Sequence, residues 1–234
     1  MHFAFRIIYS LLLLMAVLPM SAQDDPEYRM EIGGGVGVMG YLGDFNDKLT
    51  KNLQPMATIL ARYNFNPYTA LKLNASYGKV KGSSKDVKSY YPAYGDNPYN
   101  FSNPLVDVGL TFEYNFWPYG TGRDYRGAQR LTPVIFGGLG ATYAHLKNNE
   151  KSSTFTANVP IGIGLKYKVT ERMNVGLEWA MHFCTGDKID GAKDPYNIKS
   201  RGAFKNTDCY STLQLTLTYS FWAKCRTCHN QDED

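Results

Sequence analysis

Between Val106 and Phe116 the chain alternates without a break: Val106, Val108, Leu110, Phe112, Tyr114 and Phe116 are apolar, and Asp107, Gly109, Thr111, Glu113 and Asn115 lie between them. A period of two places successive side chains on opposite faces, so this stretch reads as a β-strand with one wholly apolar face and one polar face. Two carboxylates within the polar face need water or cations opposite them.

Seven more segments repeat the pattern, at Met30–Leu42, Pro55–Phe65, Ala70–Lys79, Leu131–His145, Val159–Val169, Met173–Phe183 and Cys209–Phe221. A water-soluble sandwich can show the same alternation. Two features favour lipid. Aromatic residues gather at the strand ends (Tyr63, Phe65, Tyr114, Trp117, Tyr219, Trp222), as they do at membrane interfaces. The connections also alternate between tight ones (Phe65–Ala70, Val169–Met173) and long polar ones (Lys81–Asn103, Lys147–Thr154, Thr185–Asp208), the asymmetry of periplasmic turns and outer loops. Trp117–Arg130 falls where a short turn belongs and is too long for one, so it reads as a contact element facing the periplasm.

The N-terminus supports export. Arg6, the apolar run Ile7–Pro19 and the small residues Ser21-Ala22 form a signal peptide with expected cleavage after Ala22. Beyond it no run reaches the roughly 18 apolar residues of a spanning helix. The expected organisation is a signal peptide at 1–22, an all-β, eight-stranded antiparallel outer-membrane β-barrel at 23–222 and a periplasmic tail at 223–234.

An eight-stranded barrel is just wide enough to be filled by its own side chains. The inward list contains Glu31, Asp107, Glu113 and Glu178 with Arg62, Lys72, Lys166 and Lys168. Charges in so narrow a lumen persist only when paired, so these are expected to form one salt-bridged plug, and no pore is predicted. A formal charge of +4 with no long basic run excludes nucleic-acid binding. His145, His182, Ser152, Ser153 and Asp187 share no catalytic spacing, and no enzyme is expected. Asp187, Asp190 and Asp194 are separated by Lys188 and Lys193 and read as a solvated loop.

Four cysteines follow in an oxidising compartment. A Cys184–Cys209 disulfide would tie the base of loop 185–208, stiffening it by about 3 kcal/mol on the chain-entropy model. Parity places Cys184 inward and Cys209 outward, so the bridge needs a bulge or the pairing differs. Cys225-Arg226-Thr227-Cys228-His229 has the form of a c-type haem site. Too little chain follows to bury a porphyrin, so no cofactor is expected, and Cys225 and Cys228 read as thiols that pair with each other or with a partner.

The segments EIGGGVGVMGYLGDFN (Glu31–Asn46), RYNFNP (Arg62–Pro67), FEYNFWPY (Phe112–Tyr119), TPVIFGGLG (Thr132–Gly140) and PIGIGLKY (Pro160–Tyr167) resemble the PorG family of Bacteroidetes outer-membrane proteins. The resemblance implies a non-enzymatic barrel of the type IX secretion system that attaches a periplasmic ring, built from the PorK lipoprotein and PorN, to the outer membrane. The docking surfaces in this chain would be Gln23–Tyr28, the turn Trp117–Arg130 (with Trp117, Tyr119, Arg123, Tyr125 and Arg126) and the tail Ala223–Asp234. The alternative is a stand-alone barrel of the OmpA or OmpW kind, serving envelope integrity, adhesion or passive uptake of hydrophobic compounds.

Overall fold

The computed structural model describes residues 26–43, 45–46, 48–85, 98–120, 128–146, 153–186, 189–191 and 208–223. Eight strands follow in chain order: β1 (Tyr28–Leu42), β2 (Gln54–Asn64), β3 (Thr69–Ser83), β4 (Asn100–Asn115), β5 (Leu131–His145), β6 (Ser153–Lys168), β7 (Met173–Cys184) and β8 (Cys209–Ala223). Each pairs antiparallel with the next, and β1 closes on β8 through pairs such as Ile32↔Tyr219 and Val36↔Leu215. Closure leaves no free edge.

β3, β4 and β6 extend beyond the expected apolar alternation. The added residues carry Lys81, Ser102 and Thr154, and the backbone ladder continues through them (Lys81↔Ser102, Ala144↔Thr154). Apolar alternation marks only the length in contact with lipid, whereas strand pairing continues past it.

The burial of side chains is inverted relative to a soluble protein. Ile59 is 69% exposed, Leu139 72% and Val36 66%, while Glu31, Arg62, Lys72, Glu113, Lys166 and Glu178 are at most 3% exposed. The apolar outer face, which water would penalise, excludes the soluble sandwich. A closed ring satisfies its own backbone, as a membrane requires.

Small residues let the narrow interior fill. A Cβ at Gly162 would strike the Phe136 ring and the Trp179 carbonyl, so glycine there makes room for an inward phenylalanine. One gap interrupts the ladder. The register that joins Gly137↔Ile161 to Gly140↔Asn158 skips Gly138 and Leu139, because Pro160 has no N–H to offer the Gly138 carbonyl.

The two ends differ. At the turn end, Asn66 Oδ1 accepts from the Tyr68 and Thr69 amides at 2.8 Å each, fixing the β2–β3 turn, and the Thr170 hydroxyl accepts from the Met173 amide at 3.0 Å in the β6–β7 turn. At the loop end an apolar cap closes the barrel. The Tyr41 and Phe101 rings meet edge to face at 5.0 Å, Phe45 packs on Tyr99 at 4.9 Å, and Val80 and Ile189 are fully buried in the same cluster.

Candidate functional site in the barrel lumen

Inward positions on six strands converge at one level of the lumen. Arg62 on β2 stands at the centre: Nη1 lies 2.5 Å from Glu31 Oε2, Nε 2.8 Å from Glu113 Oε2 and Nη2 3.3 Å from Glu178 Oε1. Lys72 Nζ bridges Glu113 at 3.0 Å and Glu178 at 2.7 Å, and Lys166 Nζ reaches Glu113 at 2.5 Å. Three carboxylates thus balance three cations. The remaining strands complete the shell, Phe136 of β5 lying 4.3 Å under the Lys72 ammonium and Gln214 of β8 donating to Glu178 at 2.8 Å. Asn64, Asn115 and Thr218 bond Glu31, Lys166 and Glu31 respectively. Buried charges that are this fully paired are tolerable, and losing any one strands its partners.

Two of the eight expected plug residues stand apart. Asp107 lies six positions up β4 from Glu113, about 20 Å along the strand. Its Oδ2 accepts from Asn158 Nδ2 at 2.6 Å, from the Tyr210 hydroxyl at 2.7 Å and from Thr142 at 3.1 Å. His182 stacks on Tyr210 at 4.3 Å, and its Nδ1 lies 3.9 Å from Asp107 Oδ1, too far for a direct hydrogen bond. Between this cluster and the plug is a cavity with about 20 Å³ of room for water centres, lined by Lys72, Glu178, His182 and Gln214. One water fits it. Lys168 lies at the opposite mouth, 3.6 Å from Glu27 and between the rings of Tyr28 and Tyr119. The single expected plug is therefore a six-residue plug, a polar cluster above it and an ion pair below. Parity alone identified the face but not the height.

The turn end carries a pinned stem. The Tyr119 amide donates to the Pro67 carbonyl at 3.2 Å, Gln129 N to Pro118 O at 2.7 Å and Gly120 N to Gln129 O at 3.2 Å. The Tyr119 ring folds into the barrel mouth and its hydroxyl donates to Asn174 Oδ1 at 3.1 Å, so burial holds its phenol well above the ordinary tyrosine range. Tyr119 is a mouth closure in this arrangement and not an outward docking side chain. Trp117 is exposed. Arg123, Tyr125, Arg126, Cys225 and Cys228 lie outside the described residues, as do the signal peptide, Ser152, Asp187 and Asp194.

Two expectations at the loop end are corrected. Cys184 and Cys209 are not joined in a disulfide. Phe183, not Cys184, is the register partner of Cys209, so Cys184 points into the barrel while Cys209 points out, and no bulge reconciles them. Asp190 is not solvated. It is fully buried and accepts from the Tyr41 hydroxyl at 2.9 Å, while Asp208 lies 2.5 Å from the same hydroxyl and accepts from the Ile189 amide at 2.8 Å. Loop residues thereby close over the mouth. His145 is exposed on the outer face and His182 is buried in the lumen, so the two do not meet.

A closed eight-stranded ring with an apolar exterior and a charged, filled interior is a transmembrane β-barrel of the small outer-membrane class. The chain belongs to the family described as domain of unknown function DUF6089, whose model matches residues 5–230. Comparison with curated proteins gives no match. Among solved structures, it is similar to the N-terminal β-barrel domain of Pseudomonas aeruginosa OprF, with 17% identity, 84% of this chain and 100% of that chain covered, and a TM-score of 0.48. It is also similar to Neisserial surface protein A (14% identity, 82% and 97% covered, TM-score 0.49) and to Pseudomonas aeruginosa OprG (13%, 86% and 99%, TM-score 0.49).

Proposed function

We propose that the protein is a sealed, non-enzymatic anchor of the outer membrane that works through protein contacts at its turn end, on the periplasmic side. The observation that carries this reading is the plug: Arg62, Lys72 and Lys166, paired to Glu31, Glu113 and Glu178, meet across the lumen from six strands. Transport through the interior would require breaking these pairs, so the ends are where such a barrel acts. The long turn with its pinned stem at Tyr119–Gln129 offers a stiff base for a partner. The resemblance of Glu31–Asn46 and Phe112–Tyr119 to PorG supports a particular partner, the type IX secretion ring of PorK and PorN.

The test is a detergent pull-down of the full chain from native outer membranes, with and without reductant, beside a Cys225→Ala, Cys228→Ala variant and a variant lacking residues 121–127. Recovery of a ring lipoprotein and ring subunit with the parent, lost with the turn deletion while the barrel stays folded, is the expected result. A folded barrel recovered alone would refute it and favour the envelope-integrity or adhesion reading, in which the loop end does the work. Passive uptake fits less well, since the cap of Tyr41, Phe45 and Phe101 closes the opposite mouth.

A further inference from the structure

Along the lipid-facing side of β3 the outward residues run Leu73, Ala75, Tyr77, Lys79, Lys81. The apolar ladder stops at Tyr77, which pairs with Ala57 and Val106, and the next two outward positions are both lysine. They project from one face about 7 Å apart, as alternate residues of a strand do. Both are exposed, and neither ammonium group has an ion pair or hydrogen bond among the described residues. Their β4 neighbours are the short Pro104 and Ser102, which leave the ammonium groups uncovered. Lys85 adds a third exposed cation just beyond the strand end.

Among the described residues of the loop-end half, the carboxylates Asp107, Asp190 and Asp208 are all buried, whereas Lys79, Lys81 and Lys85 are exposed. An apolar wall topped by paired ammonium groups matches an amphiphile with acyl chains below and an anionic headgroup above.

We infer that Lys79 and Lys81 form a binding site on the outer wall of β3 for the phosphorylated headgroup of an outer-leaflet glycolipid, its acyl chains lying along Leu73, Ala75 and Tyr77. The assignment rests on the outer-membrane placement proposed above, which puts the loop end in the outer leaflet. The site orients the barrel and fixes its depth, because ammonium groups two residues apart meet phosphate only at the headgroup level.

The test is native mass spectrometry of the full chain, folded in detergent and exchanged into mixed micelles with bisphosphorylated lipid A, with its dephosphorylated form or with soluble inositol hexakisphosphate. The Lys79→Gln, Lys81→Gln variant is compared with the parent and with Arg172→Gln at the opposite rim. Retention of bisphosphorylated lipid A by the parent and Arg172→Gln, reduced about tenfold in the double variant, is expected from two interfacial lysines. Equal retention by the double variant, equal retention of the dephosphorylated lipid, or equal uptake of the soluble polyphosphate would each overturn the site. Failure of the parent to show the heat-dependent gel mobility of a folded barrel would instead contradict the membrane reading on which the site rests.

Discussion

Replacing Arg62 with alanine removes the only cation that touches all three plug carboxylates. Glu113 keeps Lys72 and Lys166, and Glu178 keeps Lys72, but Glu31 loses its only ion pair among the described residues and retains only hydrogen bonds from Asn64 and Thr218. The plug then holds three carboxylates against two ammonium groups. Breaking one partner of a buried pair costs about 3–5 kcal/mol, whereas an exposed pair is worth about 0–1. Arg62→Ala is therefore expected to destabilise the barrel by about 4 kcal/mol. Arg62→Met combined with Glu31→Gln restores the balance at two against two and recovers at least half of that loss. Urea unfolding in phospholipid vesicles measures both, followed by tryptophan fluorescence, since Trp179 stands on the apolar outer face of β7 and is 39% exposed. A loss below about 1 kcal/mol for Arg62→Ala, or a double variant weaker than the single one, would refute the plug as a coupled unit.

Three further outcomes follow from the same geometry. Leu110→Arg places a charge midway up the apolar face of β4 and is expected to cost about 2–4 kcal/mol in vesicles, with the same change at Ser102 costing about 0–1; similar costs at the two positions would contradict a membrane-embedded belt. Cys209→Ser shifts stability by less than about 0.5 kcal/mol, as at an ordinary surface position, because no bridge is lost; a loss near 3 kcal/mol would reinstate the disulfide. Pro160→Ala supplies the donor missing opposite the Gly138 carbonyl, so hydrogen exchange should find a new protected amide at position 160, and rapid exchange there would show that the gap in the ladder has another cause.

The strands were legible because a lipid exterior and a polar interior force strict alternation, and Leu131–His145 was read to the residue. The rim extensions of β3, β4 and β6 were not, because beyond the lipid both faces are polar and alternation ends. Parity also assigned all eight lumen charges to the inside. Which of them meet depends on register and shear, and these place Glu113 beside Arg62 while holding Asp107 with Tyr210 and Asn158. Inward amides and hydroxyls such as Asn158 and Gln214 gave a signal in the same alternation, easily passed over beside formal charges. The burial of Asp190 had no local signal, since it is created by Tyr41, far away in sequence. For the cysteines parity was the better guide: Cys184 and Cys209 face opposite ways, and the loop-tying bridge that their positions suggested does not form.

A membrane barrel whose lumen is shut by its own charges passes no ions, and this is measured as ion flux across planar bilayers or dye-loaded vesicles into which the full chain has been folded, with insertion verified by heat-dependent gel mobility. No conductance above the bare membrane is expected for the parent, and leakage for Arg62→Ala, where the unbalanced plug draws in water and counterions. A steady conductance from the parent barrel would contradict a shut lumen.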